Sequence, residues 1–282
     1  MAVKLVRFGA PGTELPGLID AEGRIRDLSG VLPDINGAAL SPSSLARLRG
    51  LDPQSLPVVP AGTRLGAPLT GIGKIVCIGL NYADHAREAN LPIPQEPIMF
   101  MKAQTAICGP NDAIVLPPGS EKTDWELELV IAIGTTARRV AVGDALGHVA
   151  GYLAGLDMSE RYWQLERGGQ WTKGKSFDTF APIGPWLATA DELRSPGELA
   201  MQLAVNGERM QDSNTANMIF SPAQIISYVS GVMTLEPGDL IFTGTPAGVG
   251  MGMTPPRYLR AGDRVDASIA GLGDQQHAVV AD

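Results

Sequence analysis

Several acids in this chain stand where acids are costly. Glu126 and Glu128 lie in Asp124-Trp125-Glu126-Leu127-Glu128-Leu129-Val130-Ile131-Ala132-Ile133-Gly134, whose β-branched, apolar end predicts a strand. Side chains alternate along a strand, so Glu126 and Glu128 share one face while Trp125, Leu127 and Leu129 share the other. Two carboxylates on one face of an apolar strand repel each other and lose hydration unless something neutralises them. A second apolar passage, Gly151-Tyr152-Leu153-Ala154-Gly155-Leu156-Asp157-Met158, carries the isolated acid Asp157. Three carboxylates with no nearby Cys or His form an all-oxygen donor set, which suits Mg²⁺ or Mn²⁺ rather than zinc. The competing explanation is a strand with one wet face, on which alternate glutamates need no ion.

Other residues supply the remaining chemistry. In Asn81-Tyr82-Ala83-Asp84-His85-Ala86-Arg87-Glu88, His85 and Glu88 are three apart and share a face on a helical turn. A glutamate holding one imidazole nitrogen fixes the tautomer and raises the basicity of the other, as proton abstraction from water requires. An incidental surface pair has the same spacing. The proline-rich stretch Leu91-Pro92-Ile93-Pro94-Gln95-Glu96-Pro97 follows and fits either a mobile flap around a site or just a surface loop; as a flap, 85–97 is expected to form a lid that is disordered without ligand. Lys102, ending the apolar run from Ile98, and Lys175, beside Gly174 and Phe177, are each able to bind a carboxylate or enolate, although surface lysines are common. Arg161 and Gln164 fall four and seven residues beyond Asp157, on one face if that segment is helical. Thr243-Gly244-Thr245-Pro246-Ala247-Gly248-Val249-Gly250 is a glycine-rich turn after a strand, with backbone N–H groups free to hold an anion. It has neither a Walker lysine nor a dinucleotide fingerprint.

The elements that must position these groups are mostly β. With 34 Gly and 22 Pro among 282 residues, short β-branched runs are repeatedly broken by turns. Strands are predicted over 74–78, 127–133, 199–205, 240–243 and 264–269. Helices are predicted over 221–230, with Ser221 as cap and Pro222 in the first turn, and over 158–166. The proline-rich connector 56–63 divides the chain into a small N-terminal β module, 1–70, and a catalytic core, 71–282. The formal charge of −8 argues against nucleic-acid or anionic-membrane partners. No run reaches the roughly 18 apolar residues of a membrane span, and the first residues resemble a strand rather than a signal peptide. Cys77 and Cys108 alone make no disulfide framework, so a cytoplasmic location is expected.

In consistent order over about residues 73–270, the chain resembles the fumarylacetoacetate hydrolase superfamily, in particular its acylpyruvase-like and diketo-sugar-acid hydrolase branch. The resemblance rests on Gly79-Leu80-Asn81-Tyr82-Ala83-Asp84-His85, Glu126-Leu127-Glu128, Leu156-Asp157-Met158-Ser159-Glu160-Arg161, Gly174-Lys175-Ser176-Phe177-Asp178, Val205-Asn206-Gly207-Glu208, Met218-Ile219-Phe220-Ser221 and 225–230. Gly238-Asp239-Leu240-Ile241-Phe242-Thr243-Gly244-Thr245-Pro246 completes it. It implies an α+β fold, mostly β with a few helices: a small N-terminal β domain and a rolled, sandwich-like β core, usually as a homodimer. It further implies Glu126, Glu128 and Asp157 as Mg²⁺ or Mn²⁺ ligands and His85–Glu88 as a water-activating pair. Lys175 would steady an enolate, Gln164 and Thr245 would contact substrate or its water, and Lys102 and Arg161 also fall on family positions. One departure is Leu80, where relatives often carry a basic residue; a substrate with a second carboxylate is then disfavoured. The insert 166–172, with Arg167 and Trp171, is similar to that of bacterial members acting on diketo sugar acids.

The implied activity is metal-dependent hydrolysis of the C–C bond of a 2,4-diketo acid to pyruvate and a second acid. Decarboxylation of oxaloacetate-like acids and isomerisation or hydration of dienoic acids use similar chemistry and stand as alternatives. A non-catalytic binding protein for 2-oxo acids and a ureidoglycolate lyase rank below them.

Overall fold

The Leu127–Ile133 strand is buried along its whole length, and the fold grows outward from both of its edges. Residues 3–88, 92–193 and 195–282 are described, from a computed structural model. Antiparallel neighbours Val149–Leu156 and Leu240–Phe242 flank the strand. Beyond Leu240–Phe242 come Ile75–Gly79, which runs parallel to it, and the edge strand Ile98–Lys102. On the other side follow Ala181–Thr189, Lys4–Phe8, Leu15–Ile19 and Ile25–Asp27. The N-terminal strands therefore extend the main sheet, with Lys4 opposite Ala188 and Leu5 opposite Leu187.

A second sheet orders Glu208–Asn214, Ala200–Val205, Arg264–Ile269, Gly273–Ala281 and Ile114–Leu116. Two buried glutamines tie it to the first. Gln275 Nε2 donates to the carbonyls of Ala154 and Gly184, each at 2.9 Å, and Gln211 Oε1 accepts from Leu127 N at 2.9 Å. These bonds satisfy main-chain groups that burial would otherwise leave unpaired. The architecture is mostly β with short helices, as the turn-rich sequence implies.

Each predicted strand forms, within a residue or so of its expected ends. The helix Pro222–Val232 begins as expected: Ser221 Oγ accepts from Gln224 N, and Gln224 returns a bond to Ser221 N. The predicted helix over 158–166 needs correction. Met158 N bonds to Phe180 O, Ser159–Glu160 pairs with Thr123–Asp124, and only Tyr162–Glu166 winds, as a π-helix. Glu160 explains the break, because its carboxylate accepts from Lys122 N across the pairing and from Trp163 N at the turn's start. Local side-chain bonds of this kind compete with the helical ladder. The first residues of the predicted lid, 85–88, belong to the helix Ala83–Glu88, and 89–91 lie outside the described residues. Among the described residues no helix is long and apolar enough to cross a membrane.

Candidate active site

Antiparallel pairing brings the three acids together. Leu127 stands opposite Leu156 and Glu128 opposite Gly155, while Asp157 N donates to Glu126 O at 2.8 Å. Strand ends that lie side by side thus carry Glu126, Glu128 and Asp157 on a common floor. All three are buried, and one carboxylate oxygen from each lies within 4.8 Å of the others. Lys175 Nζ reaches Glu126 Oε2 at 2.7 Å and Asp157 Oδ2 at 2.6 Å. Lys102 Nζ donates to Asp157 Oδ1 at 2.6 Å and to Met158 O at 3.1 Å. The Arg161 guanidinium lies 2.7 Å from both Asp124 Oδ2 and Glu126 Oε1, and its Nη1 donates to Gln164 Oε1 at 3.0 Å.

Glu128 differs from its companions: among the described residues no cationic side chain forms an ion pair with it. Its carboxylate accepts from Gly244 N at 2.7 Å. Burial, with the charges of Asp157 and Glu126 close by, drives its pKa well above the usual carboxylate range. Glu126 moves the other way: burial alone would raise it, but Lys175 and Arg161 overcome that and hold it well below the ordinary value. Four buried carboxylates (Asp124, Glu126, Glu128, Asp157) face three buried cations (Lys102, Arg161, Lys175), leaving one formal negative charge. These oxygens fit a divalent cation, since a hard ion bound by carboxylates supplies the charge that Glu128 lacks.

The rim is built differently. His85 Nδ1 lies 3.0 Å from Glu88 Oε2 on the short Ala83–Glu88 helix, and Gly248 N donates to Glu88 Oε1 at 2.9 Å. A carboxylate only accepts, so Nδ1 is the donor in this pair, and in the neutral imidazole Nε2 is then the nitrogen with the lone pair. The glycine-rich turn does hold anions, and they are the protein's own. Gly244 binds Glu128, Gly248 binds Glu88, and Gly250 and Met251 bind Asp124 at 2.7 and 2.9 Å. Gly248 has φ +100°, and a Cβ there would meet Met210 O at 1.9 Å, so only glycine brings its N–H to this point.

A cavity of about 170 Å³ opens over the floor. His85 borders it beside Glu126, Glu128 and Asp157, and so do Arg161, Gln164, Lys175 and Thr245. Lys102 and Glu88 stand behind Asp157 and His85 and reach the cavity only through them. Thr245 Oγ1 donates to Leu127 O and accepts from Gln211 Nε2, each at 2.9 Å. Gly174 permits the close packing beneath Lys175, because a Cβ there would meet Gln164 N at 2.4 Å.

Sequence reasoning missed Asp124, Gln211, Phe100 and the wall role of Trp171. Asp124 was detectable, since it precedes Glu126 by two and shares its alternation; Gln211 carries no such signal.

The sequence pattern described as fumarylacetoacetate (FAA) hydrolase C-terminal matches residues 74–280. The chain belongs to this family. A protein of Burkholderia multivorans named only as a hydrolase is 56% identical over 274 residues, 97% of each chain. The fumarylacetoacetate hydrolase of psychrophilic Exiguobacterium antarcticum superposes with a TM-score of 0.87 at 37% identity, covering 99% of this chain and 100% of that one. Maleylpyruvate hydrolase of Sphingobium sp. SYK-6, solved with manganese(II) and pyruvate, gives 0.82 at 31% identity over 99% of each chain. A 5-carboxymethyl-2-hydroxymuconate delta-isomerase of Mycobacterium smegmatis, likewise 31% identical over 99% of each chain, gives 0.78. The chain is therefore an enzyme of the fumarylacetoacetate hydrolase family, within which both hydrolases and isomerases occur.

Proposed function

We propose that the protein is a divalent-metal-dependent hydrolase that cleaves the C3–C4 bond of a 2,4-diketo acid, giving pyruvate and a second acid. The observation that carries this reading is the opening of an oriented imidazole and a buried all-carboxylate floor onto one small cavity. Glu126, Glu128 and Asp157 would hold Mg²⁺ or Mn²⁺, which when bound supplies positive charge to the substrate's 1-carboxylate and 2-oxo group.

The chain's own residues do the rest. His85 Nε2 takes a proton from water while Glu88, held by Gly248, stabilises the imidazolium. The water oxygen bonds to C4 and the C3–C4 bond breaks. The electron pair passes to C3, leaving the enolate of pyruvate, which Lys175 Nζ faces from the floor. The proton held on His85 Nε2 is given up to C3, completing pyruvate and restoring the neutral imidazole, and C4 leaves as a carboxylic acid. Gln164 and Thr245 offer polar contacts to the substrate, whereas Arg161 and Lys102 hold the floor acids in place. The maleylpyruvate hydrolase neighbour, solved with a divalent ion and pyruvate, supports the same assignment.

The test is pyruvate release from acylpyruvates, 2,4-diketo-3-deoxy sugar acids and oxaloacetate, with Mg²⁺ or Mn²⁺ and with EDTA. The expected result is pyruvate plus an equivalent of the second acid, abolished by EDTA. Carbon dioxide from oxaloacetate alone would replace hydrolysis by decarboxylation. Double-bond migration in a dienoic acid without cleavage would replace it by isomerisation.

A further inference from the structure

The cavity has two unlike ends. Its floor is charged, but the wall leading away from Lys175 is aromatic and aliphatic. Lys175 Nζ lies 5.0 Å from the centre of the Phe100 ring, and Trp171 meets Phe100 edge-on with centroids 5.3 Å apart. Trp171 in turn closes on Gly79, where a Cβ would meet its ring at 2.6 Å, and Leu80 completes this end. The order along the wall is therefore floor acids, Lys175, Phe100, Trp171, then Gly79 and Leu80.

No cation serves this end among the described residues. The lining cations are Arg161 and Lys175, and both are engaged by floor carboxylates. Arg167 turns its guanidinium onto Trp163, 4.7 Å from the ring centre, and Lys173 donates to the Arg167 carbonyl. Charge balance points the same way. A divalent ion changes the floor's formal excess of one negative charge to one positive, and the carboxylate of a 2-oxo acid then brings it to zero. A second carboxylate on the substrate would sit uncompensated against Phe100 and Trp171, where charge is expensive.

We infer that Leu80, Phe100 and Trp171 select a substrate whose group beyond C4 is uncharged and apolar, and reject one ending in a second carboxylate. This selectivity rests on the diketo-acid reading for its chemistry, but it has a readout that needs no turnover.

Calorimetric titration of the Mg²⁺-loaded protein with pyruvate, 2-oxohexanoate and 2-oxoadipate reads the tail end alone. The alkyl tail is expected to tighten binding over pyruvate by about fourfold per methylene, on the order of 50-fold for three. The carboxylate tail is expected to bind on the order of 100-fold more weakly than the alkyl one. Equal or tighter binding of 2-oxoadipate overturns the inference, and this wild-type comparison depends on no variant folding. Trp171→Ala should remove most of the alkyl gain relative to pyruvate, and Leu80→Arg should reverse the alkyl-to-carboxylate ratio. A Trp171→Ala protein that keeps the whole gain would take the selectivity away from this wall. Pyruvate release from diketo acids with the same two tails separates the two ideas. Equal cleavage of both sinks the selectivity and keeps the hydrolase. Tail-selective binding without any cleavage does the reverse.

Discussion

The floor of the site and its rim are held by different means. Glu126, Glu128 and Asp157 hang from paired strand ends; buried cations lock Glu126 and Asp157 as well, while the Gly244 amide holds Glu128. His85 and Glu88 sit on a six-residue helix whose tie to the neighbouring loop is the bond from Gly248 N to Glu88. On the proposed mechanism such a site separates binding from proton transfer: the floor would set where a ligand's charge goes, and the rim whether water is activated. Damage to one should leave the other measurable.

The largest effect is expected from Asp157→Asn. It turns a proposed metal-binding carboxylate into a neutral amide and weakens the attraction on Lys102 and Lys175, so divalent affinity and activity should fall together, activity by on the order of 10³-fold or more. Calorimetric Mg²⁺ titration beside the pyruvate assay checks this, and unaltered metal binding would break the assignment of the floor. His85→Ala should lower kcat by about 10²–10⁴-fold while Mg²⁺ still binds, because it touches only the rim. Full activity in that variant would remove the imidazole from the mechanism. The mildest expected loss is that of Gly248→Ala. Its methyl group cannot share space with Met210 O, so the N–H to Glu88 must move, with kcat down about tenfold and metal affinity unchanged. A matching loss of metal affinity would show that floor and rim are not separable.

How much was legible in the sequence follows the same division. Period-2 spacing of acids in a strand that is otherwise apolar exposed the floor, because burial on a strand leaves a pattern of fixed length. The same pattern includes Asp124, whose task of holding Arg161 and the 250–251 turn became visible only in three dimensions. Lys102 illustrates the reverse: its position at a strand end suggested a ligand for substrate, whereas it lies behind Asp157. The segment after Asp157 departs from the predicted helix for a physical reason: Glu160 pairs its carboxylate with the distant Lys122 N–H and with Trp163 N–H three residues on. The N-terminal strands were readable as strands. The partner that joins Lys4–Phe8 to the core, Ala181–Thr189, lies more than 170 residues away in sequence, and no local signal reports such a pairing.

One turn, residues 244–251, grips an acid of the floor, an acid of the rim and the buried Asp124 with main-chain amides alone. Truncating side chains one at a time would therefore pass over its contribution, since no such replacement deletes an amide hydrogen. Semisynthetic ester replacement of single peptide links in this turn would reveal how strongly the loop couples the two halves of the site.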